Sequence, residues 1–183
     1  MNKIQKKQSP CEGVCSTKFL PHFHPVKTLM HFISHEKSLV LSNKDSCTCP
    51  ICRSMCQRRP CWSTPEDAKN LISKGYGNCL MLDHYYDRDA VDQHEFDILT
   101  PAVAGYEQQH APFGLVGVCT FFKDERCKLH NLGLKPKEGR EVWCRQSGDK
   151  ANAIHHHIGM LWNNAGAQSI IDLWNNTYKA SCC

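Results

Sequence analysis

Five cysteines fall within the fifteen residues from Cys47 to Cys61, and two more, Cys119 and Cys127, stand well downstream. The spacing Cys49-x2-Cys52-x3-Cys56 keeps thiols close enough along the chain for several to reach one metal ion at about 2.3 Å. Cys119-x7-Cys127 could complete a tetrahedral or cluster-binding set, with Cys61 in reserve. Soft thiolates select zinc, Cu(I) or an iron–sulfur cluster over hard cations. Cysteines packed as small hydrophobes are the plain alternative, and that description suits Cys79 and Cys144 better than a run flanked by Arg, Pro and Thr. The residues point to a metal-binding protein that holds zinc or an iron–sulfur cluster through Cys49, Cys52, Cys56, Cys61, Cys119 and Cys127. Four or more thiolates close such a site, which argues against hydrolytic zinc.

The bulk of the chain must fold to position these thiols. Its 183 residues fit one domain with an extension and can bury a core without disulfides in its place. The 13 cysteines fall short of the roughly 8–10% that marks a short secreted disulfide scaffold, and their odd number also favours metal over pairing. No apolar segment follows the basic start Met1–Lys7, and no run of about 18 apolar residues occurs. A reducing cytoplasm and no membrane partner are therefore expected. The net charge of +4 is small. Arg53, Arg58 and Arg59, like Lys135, Lys137, Arg140 and Arg145, read as solvated surface, because no aromatics interleave to stack bases. A metal ion is the expected partner; a protein partner stays open, and nucleic acid is not expected.

Residues 1–46 read as a poorly ordered or auxiliary extension, with apolar content only from Val26 to Leu41, and 47–183 as the cysteine-cluster domain. Cys11, Cys15, His22 and His24 are ligand types, but their irregular spacing reads as incidental. Cys47 to Cys61 follows no helical or strand period and predicts an irregular loop. Thr64 then caps a helix with Pro65 at its first position, Glu66 and Asp67 in the first turn, Ala68, Leu71 and Ile72 as its apolar stripe, and Gly75 or Gly77 at its end. That helix dipole would favour thiolates held at its start. Leu80–Asp87 is strand or short helix, and Phe96–Val103 a strand. Gly117–Phe122 and Cys127–His130 form a hairpin that brings Cys119 and Cys127 together at its base. Two helices follow, from Asp149 to about Trp162 and from Gly166 to Tyr178. The fold class is α+β: a small, mostly helical domain with a short β-hairpin and an irregular cysteine-rich metal-binding loop.

His155-His156-His157 cannot converge on one ion from a regular helix, since neighbours point about 100° apart; it reads as a polar face. His130 could stand behind a ligand or replace one. Asp83, His84, Asp87 and Asp89 read as a solvated loop. No Gly-rich phosphate loop, nucleophile elbow or HExxH occurs.

The order of these motifs resembles the YkgJ-type cysteine-cluster family, whose members are described as zinc- or iron-chelating. Cys49, Cys52 and Cys56 match its first cysteine group, and Thr64-Pro65-Glu66-Asp67 its helix start. Cys119-Thr120-Phe121-Phe122, Cys127-Lys128-Leu129-His130 and Lys135-Pro136-Lys137-Glu138-Gly139-Arg140 match its second half, so the resemblance spans about residues 47–140. Two positions depart from the family pattern. Met55 opens an adjacent Cys-Cys pair, and Gly139 stands where a cysteine precedes the final arginine, so Cys61 or Cys144 would have to replace that ligand. The resemblance implies metal binding without fixing a reaction. Two further readings accompany it: an iron–sulfur-dependent redox or modification enzyme, and a zinc-stabilised interaction or nucleic-acid module using Arg53, Arg58, Arg59 and Lys135.

Overall fold

A computed structural model of the protein describes residues 49–86, 95–142 and 147–179. The extension over 1–46, Cys47, Asp87, Asp89, Cys144, Arg145 and the two terminal cysteines lie outside the described residues. The architecture is α+β and mostly helical, with two small antiparallel sheets.

The first element corrects the sequence reading. Pro50–Arg58 is an α-helix, α1, and not an irregular loop. Pro50 sits at its first turn, where a missing N–H costs nothing, and Arg59 turns extended immediately before Pro60, which cannot follow a helical residue comfortably. Counting cysteine as apolar reveals the period: Ile51, Cys52, Met55 and Cys56 share one stripe and line one pocket.

The next helix, α2, spans Pro65–Ser73 as predicted. Thr64 Oγ1 accepts the Asp67 N–H at 3.1 Å, and Asp67 Oδ2 accepts the Thr64 N–H at 3.1 Å, a complete capping box. Gly75, at φ +83°, turns the chain away at the other end. No thiolate is needed at this helix start. The buried Asp67 already meets its dipole and also accepts the Lys137 N–H at 2.8 Å and Arg140 Nη1 at 3.0 Å.

A 3₁₀ turn, Gly77–Cys79, leads into strand β1, Leu80–Tyr86, which pairs antiparallel with β2, Glu95–Pro101. The other edge of β1 takes residues 108–111, through Gln108 N–H to Leu80 O, Leu82 N–H to Gln109 O and Ala111 N–H to Leu82 O, at 2.8–3.0 Å. The predicted hairpin is shorter than its sequence. Only Phe122–Lys123 (β3) and Arg126–Cys127 (β4) pair, around Asp124 and Glu125, both at positive φ as a two-residue turn of this kind requires. Lys128–Asn131 is a short helix, α3, so His130 lies on a helical turn and not on a returning strand. Three helices follow: α4, Lys137–Glu141; α5, Gly148–Met160; and α6, Ala165–Tyr178. Ser147 precedes α5, and Asp149 stands in its first turn.

The core joins α2, the larger sheet, the hairpin, α3, α5 and α6. Leu71, Leu80, Ile98, Leu99, Leu129, Ile158, Trp162 and Trp174 are almost fully buried. The two indoles keep their N–H groups satisfied, Trp162 on Ser63 O at 2.8 Å and Trp174 on Gly77 O at 2.7 Å. Cys119 and Cys127 belong to the same core, which fixes the downstream half of the cysteine set on a rigid base.

Candidate metal centre

Three separate stretches of chain deliver the thiols. The first is α1, whose last carbonyls have no partner within the helix. Cys56 O accepts the Cys119 N–H at 2.9 Å, and Arg58 O accepts the Gly117 N–H at 2.6 Å. These bonds satisfy the helix end and place Cys56 against the Cys119 segment. Arg53 Nη1 holds Glu125 at 3.0 Å and ties α1 to the hairpin turn.

The second stretch is Pro60–Trp62. Thr100 Oγ1 donates to Cys61 O at 2.9 Å, while the Trp62 N–H donates to Glu138 Oε2 at 2.6 Å. The backbone is thus clamped on both sides of Cys61, and its thiol hydrogen-bonds the Cys56 side chain. The third stretch carries Cys119 and Cys127, both buried. Cys119 N–H faces α1, Cys127 pairs with Phe122 across the hairpin, and Cys119 stands near enough to Cys61 and Cys127 to feel both electrostatically.

Cys61 thus hydrogen-bonds Cys56, Cys119 lies within electrostatic reach of Cys61 and Cys127, and Cys52 and Cys56 share the pocket lined by α1, Cys61 and α4. Cys49 precedes α1 as its half-buried N-cap residue. All six predicted ligands stand outside any disulfide. Cys79 differs from its sequence reading: it is buried, but disulfide-bonded and not an unpaired hydrophobe.

Gly139 explains why Cys61 belongs to this group. A Cβ added at Gly139 would stand 2.8 Å from Cys61 Sγ and 2.7 Å from Lys135 Cε, closer than any side chain tolerates. Position 139 therefore faces Cys61, and the Cys61 sulfur fills the space beside it. Sequence reasoning had Cys61 only as a reserve.

The local electrostatics disfavour bare thiolates. The hydrogen bond that the protonated Cys61 thiol donates to Cys56, burial and the Glu138 carboxylate raise the Cys61 thiol well above its ordinary range. Burial likewise raises Cys119, with Cys61 and Cys127 adding to the effect against the backbone of Phe121 and Phe122. Such thiols are neutral at pH 7 and poor nucleophiles; a bound cation is what would hold them as thiolates.

Glu138 braces the pocket from α4. Burial pushes its carboxyl up, but the hydrogen bond from His155 and the positive charge of Arg59, with the Trp62 N–H, outweigh burial and hold it below its usual value. His155 Nδ1 reaches Glu138 Oε1 at 3.1 Å and its ring stacks on Trp62 at 3.6 Å between centroids. His156 Nδ1 meets the Tyr85 hydroxyl at 2.5 Å. The histidine run thus touches the site through its brace rather than as a plain polar face.

A different group already has its ligand atoms within 4.8 Å of one another: His84, Asp97 and His110. Sequence reading placed His84 in a solvated loop, whereas it lies in β1 directly opposite Asp97 of β2. The signal available was the register of the two strands, which no local motif announces. Metal-type ligand geometry is present in the protein at this point, independently of the cysteines.

Among the described residues no helix is long and apolar enough to cross a membrane. Comparison with protein-family models, with curated proteins and with solved structures finds no match to this chain.

Proposed function

We propose that this protein binds zinc or an iron–sulfur cluster through the thiolates of Cys52, Cys56, Cys61, Cys119 and Cys127, with Cys49, the N-cap residue of α1, as a further donor. The observation that carries this reading is the approach of cysteines from three chain segments: Cys52, Cys56 and Cys61 line one pocket with Gly139, whose missing side chain leaves room for the Cys61 sulfur, and Cys119 lies within electrostatic reach of Cys61 and Cys127. The donor set suits a soft or borderline ion. The likeness to YkgJ-type proteins points the same way. Thiolate ligation suits a compartment that keeps thiols reduced, such as a cytoplasm, whereas the Cys79 disulfide points to an oxidising one.

A nucleic-acid module is the weaker reading. Arg53 is paired with Glu125, Arg59 with Glu138, and Lys135 is buried, so three of the four cations such a face would use are turned toward the protein itself. The test of the proposal is purification of the full chain without oxygen, followed by metal analysis and a visible spectrum. Iron with sulfide and a brown colour identify a cluster; one zinc in a colourless protein identifies a closed structural site. A metal-free, stably folded protein overturns the proposal.

A further inference from the structure

Three neighbouring extended segments place one ligand each at a single spot. Asp97 on β2 and His84 on β1 are direct cross-strand partners, so their side chains leave the same face of the sheet. His110 arrives from the opposite edge of β1, where residue 110 bridges Leu82 and the flanking residues hydrogen-bond Leu82 on both sides. His110 Nε2 lies 2.9 Å from Asp97 Oδ1, and His84 Nδ1 lies 3.4 Å from the same oxygen. The two imidazoles meet edge to face, with centroids 4.3 Å apart. Ligand atoms bound to one ion at about 2.0–2.2 Å stand at separations of this kind.

A second observation marks the spot. His84 Nδ1 is buried and makes no hydrogen bond. The nearest carboxylate oxygens, Asp97 Oδ1 and Glu95 Oε1 at 3.7 Å, lie within charge contact but not in hydrogen-bonding geometry. A buried ring nitrogen left so is costly unless something takes its lone pair or its proton. The side chains of all three residues keep about a third of their surface exposed, so an ion here could be reached from solvent.

We propose that His84 Nδ1, His110 Nε2 and Asp97 Oδ1 form a second metal site, distinct from the thiolate cluster, that takes a divalent first-row transition ion. Two imidazoles and one carboxylate suit zinc or Fe(II) and leave coordination positions for water or a small ligand. The closed sulfur set offers no such opening. Glu95 stands at hand as a further oxygen donor.

Cobalt(II) distinguishes the two sites, because only thiolate ligation produces a sulfur-to-metal charge-transfer band. The full chain, stripped by chelator, is titrated with Co(II) while its d–d and charge-transfer bands and the imidazole NMR signals are followed. The expected result is one equivalent that shifts the His84 and His110 signals without charge transfer. His110→Ala and Asp97→Asn should each weaken that equivalent by more than the roughly 10–100-fold typical of losing a group behind a ligand, leaving any charge-transfer band unchanged. The proposal is overturned if both variants keep this equivalent at wild-type affinity, if the imidazole signals never move, or if both variants lose the charge-transfer band together with it.

Discussion

The thiol cluster and the His84–Asp97–His110 group contrast at every level of organisation. The cysteines come in two sequence clusters, Cys49 to Cys61 and Cys119 with Cys127, that approach each other in space and are sunk partly into the core. The histidines and the aspartate are spread along 27 residues, set by strand register, grouped within 4.8 Å and about a third exposed to solvent. Donor density along a chain does not therefore predict how far a site is assembled before its ion arrives. Under the proposed function, the cysteine site would need an ion to hold its neutral thiols as thiolates, whereas the sheet alone holds the imidazole group together.

The sharpest way to break that contrast is to remove the ion. Chelation of the thiolate-bound metal, or Cys119→Ser, should lower unfolding free energy by several kcal/mol, since structural zinc alone contributes on the order of 10 kcal/mol in small domains. Urea unfolding of loaded and stripped protein measures it, and equal midpoints would show that the cluster does not organise the fold. Next in size is Glu138→Gln, which leaves Arg59, His155 and the Trp62 N–H without their charged acceptor. A loss of about 2–4 kcal/mol is expected, at or below the usual cost of breaking a buried pair because Arg59 is partly exposed. The sign of its pH dependence follows from the lowered carboxyl: the stabilisation is present above the unfolded value near 4.5 and fades as pH falls through the lower folded value. The difference between wild type and variant should therefore shrink in acid, and a difference that grows there would reverse the assignment.

Gly139→Ala comes third. The added methyl meets Cys61 Sγ and Lys135, and overpacking of this kind costs about 1–3 kcal/mol. It should also weaken metal uptake at the cysteines while leaving the imidazole site untouched; unchanged uptake would remove Cys61 from the ligand set. His110→Ala is the smallest, within about 0.5 kcal/mol as for other exposed positions. A large loss of stability in that variant would mean that the sheet edge, and not an ion, is what His110 serves.

How much of this was legible follows from the same contrast. The capping box at Thr64, the Gly75 terminus and the helix ending at Tyr178 rest on local chemistry and were readable residue by residue. The helix α1 was missed because its stripe consists of Cys and Met beside Ile, types that read as ligands before they read as packing. The hairpin was drawn too long because Leu129 is buried in a helical turn, where a short apolar run looks the same as in a strand. Within the thiol site the ligand types were visible in the sequence, but the role of Cys61 needed Gly139 brought against it. The His84 group was invisible, since a cross-strand pair and a bridging loop leave no spacing to recognise.

X-ray absorption at the metal edge of anaerobically purified full-length protein tests the central claim most directly. The account predicts a dominant sulfur shell at about 2.3 Å, lost in Cys61→Ser and Cys119→Ser. A spectrum containing only nitrogen and oxygen near about 2.0–2.1 Å, unchanged by either substitution, would contradict it.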